Sequence, residues 1–391
     1  MKQYLTAESV RAGHPDKMCD YISDSILDAC LYADKGARVA VETMVTNHRV
    51  IVAGEITCKK HIDIRNTVRA ALYRLGYNPL KYLIFVYVHR QSKDIAGGVD
   101  RALESRSGDT GWYSTMGAGD QGTVTGYACD EGNIDRIPAP LHYAHEICKR
   151  LDKVWKDNTV TGLGLDGKCQ VTIEYENGKP VRVDNIVVSV QHKEDKDQEA
   201  LRGEIISNVL WPVFEHFTFD ENTVILVNPA GRFVKGGPGA DTGLTGRKLM
   251  VDTYGGLACH GGGAFSGKDP TKVDRSGAYM ARNIAKNIVT AGLAGRCQVS
   301  ISYAIGKADP TALRIETFGT SACTEDVLCA AVRDVFNMRP AAIIEKFHLR
   351  DVTYADYSCY GHFGNGYPRW EYSDETEKLR EAVRKHVKND Q

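Results

Sequence analysis

The sequence predicts an α+β fold of three related domains, because three segments of similar sequence recur in similar surroundings. Each segment has a glycine and a basic residue near its start and continues as an alternating run rich in β-branched residues. The segments are Gly36–Thr43, Gly167–Glu174 and Gly295–Ser302. An amphipathic helical stretch precedes each one, and a second strand and a second helix follow it. The repeated unit is therefore α-β-β-α, with a mostly antiparallel sheet and helices on one face.

The elements recur in the same order in each unit. The first helices are predicted at Lys17–Ala33, Leu141–Trp155 and Ser276–Ala291, the second strands at Arg49–Thr57, Val181–Gln191 and Ala312–Thr317, and the second helices at His61–Leu75, Gln198–Phe214 and Thr324–Phe336. The Asn-Gly pair between Glu176 and Lys179 is typical of a tight turn between antiparallel strands. We therefore divide the chain into an N-terminal repeat (1–101), a central repeat (102–232) and a C-terminal repeat (233–391).

Composition and charge argue for a globular protein with neither a nucleic-acid nor a membrane partner. The 391 residues are 42% apolar, enough to fill two or three cores, and 49 basic residues balance 50 acidic ones. The N-terminus has no apolar core of signal-peptide length, and apolar runs such as Tyr82–Val88 are strand-sized. The eleven cysteines show neither zinc-ligand nor CxxC spacing. A cytoplasmic protein is expected.

Two glycine-rich stretches match phosphate-binding motifs by their spacing. Gly117–Gly122 (GAGDQG) has the spacing of a dinucleotide fingerprint, but polar residues precede it and Gly126 interrupts the β-branched residues that follow. Gly262–Asp269 (GGAFSGKD) has the spacing of a P-loop, but Asp269 stands where a Ser or Thr should bind magnesium, and no apolar strand precedes the motif. Neither common nucleotide fold is predicted, yet glycine-exposed amides beside lysine remain suited to phosphate oxygens.

Charged residues gather around these loops. Arg247 and Lys248 end one glycine-rich segment, and Lys268 and Lys272 belong to the next. Asp16 follows Gly-His-Pro and lies in the first turn of a predicted helix. Its carboxylate can cap that helix or hold a hard cation, and the sequence leaves both interpretations open.

Taken together, the motifs resemble those of the S-adenosylmethionine synthase (methionine adenosyltransferase) family over essentially the whole chain. They are GHPDK at 13–17, GAGDQG at 117–122, DGKCQVT at 166–172, NPAGRFVKGGP at 228–238, DTGLTGRK at 241–248, GGGAFSGKDPTKVDRS at 261–276 and YGHFG at 360–364. The family has three α+β domains related by pseudo-threefold symmetry, which partly interleave in sequence. This resemblance agrees with the repeat found from periodicity.

The resemblance implies that the methionine sulfur attacks C5′ of ATP, which releases triphosphate that is then cleaved to pyrophosphate and phosphate. A thioether has no proton to remove, so the first step needs no general base. It needs oriented substrates and a stabilised leaving group instead.

The resemblance also implies a role for individual residues. His14, Lys168, Arg247, Lys248 and Lys268 would be catalytic and face the triphosphate, with His14 beside the leaving oxygen. The ATP-binding set would add Asp166, Arg232, Phe233, Asp241 and Ala264. The methionine-binding set would be Glu55, Gln91, Asp120, Asp241 and Lys272. Asp16 and Asp274 would hold two Mg²⁺ ions per site, and Glu42 would hold K⁺.

The family's site lies between two subunits, which implies a homodimer with shared active sites. A homotetramer is the expected assembly, with dimer against tetramer left open, as is the subunit that supplies Asp120. The loop that covers the site corresponds to about 91–101. The segment 103–116 is longer than in compact bacterial members, so loop closure is not carried over. Ala230 stands where Thr is common, and this departure removes no named ligand.

Two other classes compete with this interpretation. A P-loop kinase or NTPase would require a parallel sheet and a Ser or Thr after Lys268, and the sequence offers neither. A non-catalytic subunit of the same fold is the second alternative. The presence of His14, Lys168, Arg247 and both proposed magnesium ligands argues against it.

Overall fold

The computed structural model describes residues 2–92, 97, 99–133, 135–215, 217 and 219–389, which form three sheets with helices packed against them. The strands are β1 (Lys2–Val10), β2 (Arg38–Thr46), β3 (Arg49–Thr57), β4 (Leu83–His89), β5 (Gly122–Cys129), β6 (Leu163–Glu176), β7 (Lys179–His192), β8 (Val224–Val227), β9 (Gly243–Leu244), β10 (Arg296–Tyr303) and β11 (Ala312–Glu316).

The helices follow the predicted order. They are α1 (Pro15–Ala33), α2 (Ile64–Arg74), α3 (Leu103–Arg106), α4 (Ala139–Lys156), α5 (Gln198–Ile205), α6 (Trp211–Val213), α7 (Leu249–Asp252), α8 (Val273–Thr290), α9 (Glu325–Val335), α10 (Pro340–Lys346) and α11 (Thr376–Asn389). A π-helical turn, Ile206–Leu210, joins α5 to α6. Short 3₁₀ turns lie at Pro79–Lys81, Trp112–Ser114, Gly237–Gly239, Tyr354–Tyr357 and Arg369–Glu371.

The predicted α-β-β-α unit is confirmed three times, as α1-β2-β3-α2, α4-β6-β7-α5 and α8-β10-β11-α9. The two strands of each unit pair antiparallel. The turn between β6 and β7 has positive φ at both Asn177 and Gly178, as a tight hairpin turn requires. Two parallel pairs, β3 with β4 and β7 with β8, extend otherwise antiparallel sheets.

Each sheet recruits one strand from a distant part of the chain. The strand orders are β4-β3-β2-β9, β1-β6-β7-β8 and β11-β10-β5. Thus β1 pairs with β6 of the central repeat, with Val10 opposite Lys168, while β5 pairs with β10 of the C-terminal repeat. Interleaved strands tie the three repeats together, and the boundaries at 101 and 232 stay a prediction.

Helix α8 lies at the centre of the molecule, and most of its side chains are buried. It packs closely on β5 because Gly126 has no side chain. A Cβ atom at Gly126 would stand 2.0 Å from the carbonyl carbon of Ala281. The polar residues of α8 are paired: Arg282 donates to both carboxylate oxygens of Glu371 at 2.9 Å and to the Tyr127 carbonyl at 2.7 Å.

One face of the first sheet is apolar and open. Leu83, Phe85 and Tyr87 alternate on β4 with exposed fractions of 61%, 38% and 65%, and Leu244 of β9 is exposed as well. Helices cover the opposite face, where Val50 and the other inward residues of the sheet are buried. Among the described residues, no helix is both long and apolar enough to cross a membrane.

We expect Arg282→Leu to lower the free energy of unfolding by about 3–5 kcal/mol, because it leaves Glu371 as a buried carboxylate with only Lys286 beside it. Urea unfolding followed by circular dichroism measures this change. The matched control is Arg314→Leu, since Arg314 pairs with Glu316 at 3.0 Å on the surface and is 71% exposed. Equal shifts for the two variants would contradict the importance of the buried pair.

Candidate active site

His14 caps the N-terminus of α1 and faces the proposed site. Its Nδ1 accepts a hydrogen bond from the Asp16 amide at 3.2 Å, so the neutral ring carries its proton on Nε2. Burial lowers the pKa of His14, against the opposing effect of Asp166, and nearby Lys248 lowers it further. At neutral pH His14 therefore offers one N–H donor, at Nε2.

Asp16 is an ionised carboxylate that connects α1 to β9 and its basic loop. Its Oδ1 accepts from the Leu244 amide at 3.0 Å and its Oδ2 from Lys248 Nζ at 2.6 Å. Burial opposes its charge, but these bonds hold its pKa below the usual value. The N-cap of α1 is His14, so capping does not explain Asp16.

Asp166 and Lys168 of β6 also lie beside the N-terminus of α1. Asp166 is buried, and its Oδ2 accepts from the Gly237 amide at 2.8 Å. Lys168, two residues on, is exposed. With Arg247, whose Nε is 3.8 Å from Asp16 Oδ1, these residues form what we call the α1 cluster. Its members are His14, Asp16, Asp166, Lys168, Arg247 and Lys248.

A second group, the α8 cluster, lies at the N-terminus of α8. Its members are Glu42, Asp120, Lys268, Lys272 and Asp274. Lys268 Nζ is 2.6 Å from Asp274 Oδ2, and Lys272 Nζ is 2.9 Å from the buried Asp269. Gly263 lies against this centre, since a Cβ atom there would be 2.3 Å from Asp274 Cγ. Burial raises the pKa of Glu42, an effect that the charge of Lys268 opposes.

The GAGDQG loop belongs to the α8 cluster. The Gly119 amide donates to the Thr271 carbonyl at 3.0 Å, and a Cβ atom at Gly119 would be 3.2 Å from Lys272 Cδ. The Asp120 side chain is exposed beside this contact and accepts from the Gln121 amide. Within one chain, Asp120 therefore accompanies Lys272. The glycines of the GAGDQG loop therefore allow it to pack closely against the segment that carries Lys272, rather than allowing the approach of a dinucleotide.

The two loops that carry Lys248 (residues 236–248) and Lys268 (residues 262–269) lie along one edge of β2. Gly243 pairs with Val45, and the Val41 amide donates to the Gly267 carbonyl at 3.0 Å. The loops also touch each other, because a Cβ atom at Gly246 would be 2.7 Å from the Cβ of Ala264. This edge of β2 is thus paired with the two loops that carry Lys248 and Lys268 rather than with a full-length strand.

The remaining predicted residues lie around these clusters. Glu55 faces His89 at 3.2 Å on the open sheet, and the Gln91 amide is 3.3 Å from Thr57 Oγ1. Asp241 is exposed and accepts from the Thr242 amide at 2.8 Å. Of the expected covering loop at 91–101, residues 93–96 and 98 lie outside the described residues.

The loop with Arg232 and Phe233 lies beside the α1 cluster. Gln191 joins the two, since its Oε1 accepts from the Asp166 amide at 3.2 Å and its Nε2 donates to the Val234 carbonyl at 3.1 Å. Arg232 itself pairs with Glu194 at the surface, at 2.8 Å. The Phe233 carbonyl accepts from the His192 amide at 3.0 Å, and the Phe233 amide donates to the His192 ring at Nε2, also at 3.0 Å.

Sequence reasoning missed the buried carboxylates that support these loops. Asp20 and Asp24 accept from the amides of Gly246 and Gly267, and Asp269 holds Lys272. The four-residue spacing of the aspartates in α1 was the available signal, since it places them on one helix face.

The described residues contain no group of three or more His, Cys, Asp or Glu side chains placed to hold a metal ion. Asp16 and Asp274 instead each stand with a lysine. One carboxylate per ion fits Mg²⁺ well when it arrives with a nucleotide, because Mg²⁺ keeps waters and takes phosphate oxygens as further ligands.

Comparison with known proteins gives one consistent answer. Models of the S-adenosylmethionine synthetase N-terminal, central and C-terminal domains match residues 2–93, 115–233 and 235–372. The chain is also 51% identical over 390 residues to a protein of Desulforudis audaxviator (strain MP104C) named S-adenosylmethionine synthase, covering 97% of this chain and 98% of that one.

Gly263→Ala should weaken binding of a magnesium complex of a non-hydrolysable ATP analogue by about tenfold or more, because the new methyl group displaces the Asp274 carboxylate. Titration calorimetry measures this affinity. Gly203→Ala is the control, since Gly203 lies on α5 and a Cβ atom there would have no neighbour within 4 Å. Unchanged affinity in Gly263→Ala would show that Asp274 takes no part in binding.

Proposed function

The chain belongs to the S-adenosylmethionine synthetase family and makes S-adenosylmethionine from ATP and L-methionine; we propose that the α1 and α8 clusters together form its active site. The observation that carries this assignment is the repeated lysine–carboxylate pair. Lys248 and Lys268 lie in loops along one edge of β2, and the Nζ of each is 2.6 Å from a carboxylate in the first turn of a helix. The carboxylates are Asp16 of α1 and Asp274 of α8. Each pair offers a cation to a phosphate and a carboxylate to its metal.

In the first step the methionine sulfur donates a lone pair to C5′ of ATP. The C5′–oxygen bond breaks, and its electrons stay on the departing triphosphate. His14, neutral and with its proton on Nε2, donates a hydrogen bond to that oxygen. Lys168, Arg247, Lys248 and Lys268 balance the gathered negative charge, which is worth most where water is excluded.

Two Mg²⁺ ions, held by Asp16 and Asp274, would neutralise phosphate oxygens and orient the chain of phosphates. The pairing of each carboxylate with a lysine supports this proposal, because a cation already stands at the position that a metal would share. Glu42, beside Lys268 and Glu55, is the proposed ligand of K⁺. The same cations serve again when the released triphosphate is hydrolysed to pyrophosphate and phosphate.

Methionine is proposed to bind between the open sheet and the GAGDQG loop. Glu55, Gln91 and Lys272 would hold its amino and carboxylate groups, while Asp120 and Asp241 compensate the positive charge of the sulfonium product. Phe233 would pack against adenine with Arg232 alongside, on the loop that Gln191 joins to Asp166.

We further propose a cytoplasmic homodimer with shared sites, which pairs again into a tetramer. The apolar open face of the first sheet, with Leu83, Phe85 and Tyr87 exposed, supports such an assembly. Because Gly119, next to Asp120, packs against Thr271 and Lys272 of its own chain, the α8 cluster would reach a shared site as one unit. A mass measurement in solution distinguishes dimer from tetramer.

The function is tested by incubating the purified protein with ATP, methionine, Mg²⁺ and K⁺ and detecting the sulfonium product by mass spectrometry. We expect S-adenosylmethionine with pyrophosphate and phosphate in equal amounts. Phosphate release that does not depend on methionine, with no sulfonium formed, would instead indicate an NTPase.

His14→Asn should reduce sulfonium formation by about 100-fold or more while leaving hydrolysis of added triphosphate within about threefold of the wild type. The reason is that His14 acts at the oxygen that leaves C5′. Free triphosphate no longer contains the C5′–oxygen bond. The two rates are measured separately on the same preparation.

Lys268→Met is the comparison variant, since its cation would serve both steps. It should impair both sulfonium formation and triphosphate hydrolysis. Equal losses in both assays for His14→Asn, or unchanged hydrolysis for Lys268→Met, would contradict the roles assigned here.

A further inference from the structure

Helix α1 carries a row of four aspartates that together hold three other segments of the chain. Asp16, Asp20, Asp24 and Asp28 are spaced four residues apart and so share one helix face. Asp16 accepts from the Leu244 amide, Asp20 from Gly246, Asp24 from Gly267, and Asp28 from Tyr354 and Ala355. The loop held by Asp16 and Asp20 and the loop held by Asp24 carry cations of the proposed site, and the segment held by Asp28 carries none of them.

Asp20 holds the basic loop one residue before its cations. Its Oδ1 accepts from the Gly246 amide at 2.8 Å, and its Oδ2 accepts from buried Lys17 Nζ at 2.9 Å. Arg247 follows directly, is 54% exposed, and makes only a long bond of 3.5 Å to the Thr242 carbonyl besides its approach to Asp16. The hydrogen bond from the Gly246 amide to Asp20 is thus a main restraint on the position of the Arg247 backbone.

Asp24 has the parallel position in the second loop. It accepts from the Gly267 amide at 2.9 Å, and Lys268 is the next residue. Its other interactions are two bonds from buried Arg275, at 2.9 and 2.7 Å. Both loop glycines have positive φ, +80° at Gly246 and +81° at Gly267, a conformation that a non-glycine residue adopts only with strain.

A glycine-rich loop loses much conformational entropy when it is ordered, so its position requires a compensating interaction. A hydrogen bond to a buried carboxylate is stronger than one between neutral groups. Placed one residue before each cation, such bonds hold the backbone while leaving the cationic side chains free to turn from Asp16 or Asp274 toward a substrate.

We propose that Asp20 is a positioning residue for Arg247 and Lys248, and that Asp24 does the same for Lys268. Neither carboxylate touches substrate in this assignment; each acts through a backbone amide. The inference rests on the proposed function, because the position of these loop backbones affects turnover only if their cationic side chains bind the triphosphate.

Two variants of Asp20 separate position from charge. Asp20→Glu keeps the charge beside Lys17 but moves the acceptor by one methylene, so kcat should fall by about tenfold or more while KM for methionine stays within about twofold. Asp20→Asn keeps an acceptor oxygen at the same place but loses the charge. Asp20→Asn should retain kcat within about threefold of the wild type. Its midpoint of urea unfolding should fall, because buried Lys17 then keeps only the Asp252 carboxylate and the Ser358 carbonyl as acceptors.

Asp28→Asn is the matched control on the same helix face. Asn at this position keeps one of the two acceptors for the Tyr354 and Ala355 amides, so the urea midpoint should fall, but these partners lie outside the proposed site. Its kcat and KM should match those of the wild type. Wild-type kcat in folded Asp20→Glu, or equal kcat losses in Asp20→Glu and Asp20→Asn, would overturn the proposal.

Hydrogen exchange of the ligand-free wild type decides the matter if Asp20→Glu does not fold. The amides of Gly246 and Gly267 should exchange at least about 100-fold more slowly than an unprotected loop. Exchange at the rate of a free loop would overturn the proposal. This measurement does not depend on turnover, so failure of the wild type to form sulfonium would count against the function and leave the positioning test intact.

Discussion

The structure depends on holding several cationic side chains close together before any polyanion arrives. Like charges in a partly buried site repel one another, so each cation needs a nearby counter-charge. Lys248 has Asp16, Lys268 has Asp274 and Lys272 has Asp269, at 2.6 to 2.9 Å. The site is therefore nearly neutral when empty. A triphosphate with its metals can take over both partners of a pair, since it offers anions to the lysine and a cation to the carboxylate.

This arrangement sets demands on the backbone. The loops that carry Lys248 and Lys268 have no helix or full strand of their own, and they are placed by the free edge of β2 and by the aspartates of α1. The same helix presents His14 at its N-terminus and Asp16 in its first turn. One rigid element thus locates His14, which we propose as the donor to the leaving oxygen, together with Asp16 and the starts of both basic loops. Buried charges such as Arg275 and Arg282 are tolerated because each forms an ion pair with a buried carboxylate, Asp24 or Glu371.

The threefold repeat explains why such a site is built at the junction of units rather than inside one. Each α-β-β-α unit buries the helical side of its sheet, and the exchange of β1, β5 and β9 among the sheets connects the units. The glycine-rich segments lie between the repeats in sequence, and their glycines let them pack closely against α1 and β2 of the first unit. The first sheet keeps an apolar open face next to Glu42 and Glu55, so a second subunit packed there would lie close to the site.

The sequence by itself determined the elements and the chemistry. Alternation and helical periodicity are local properties, so the α-β-β-α unit was predicted nearly residue by residue, and the motif resemblance identified the family. The exchange of β1, β5 and β9 between sheets was not visible, because strand pairing joins residues such as Val10 and Lys168 that are far apart in the chain. Nor was the placement of Asp120 beside Lys272, or the support of Gly246 and Gly267 by Asp20 and Asp24. Those contacts depend on how close two distant backbones come, and that distance is set only when the sheets and α1 pack together.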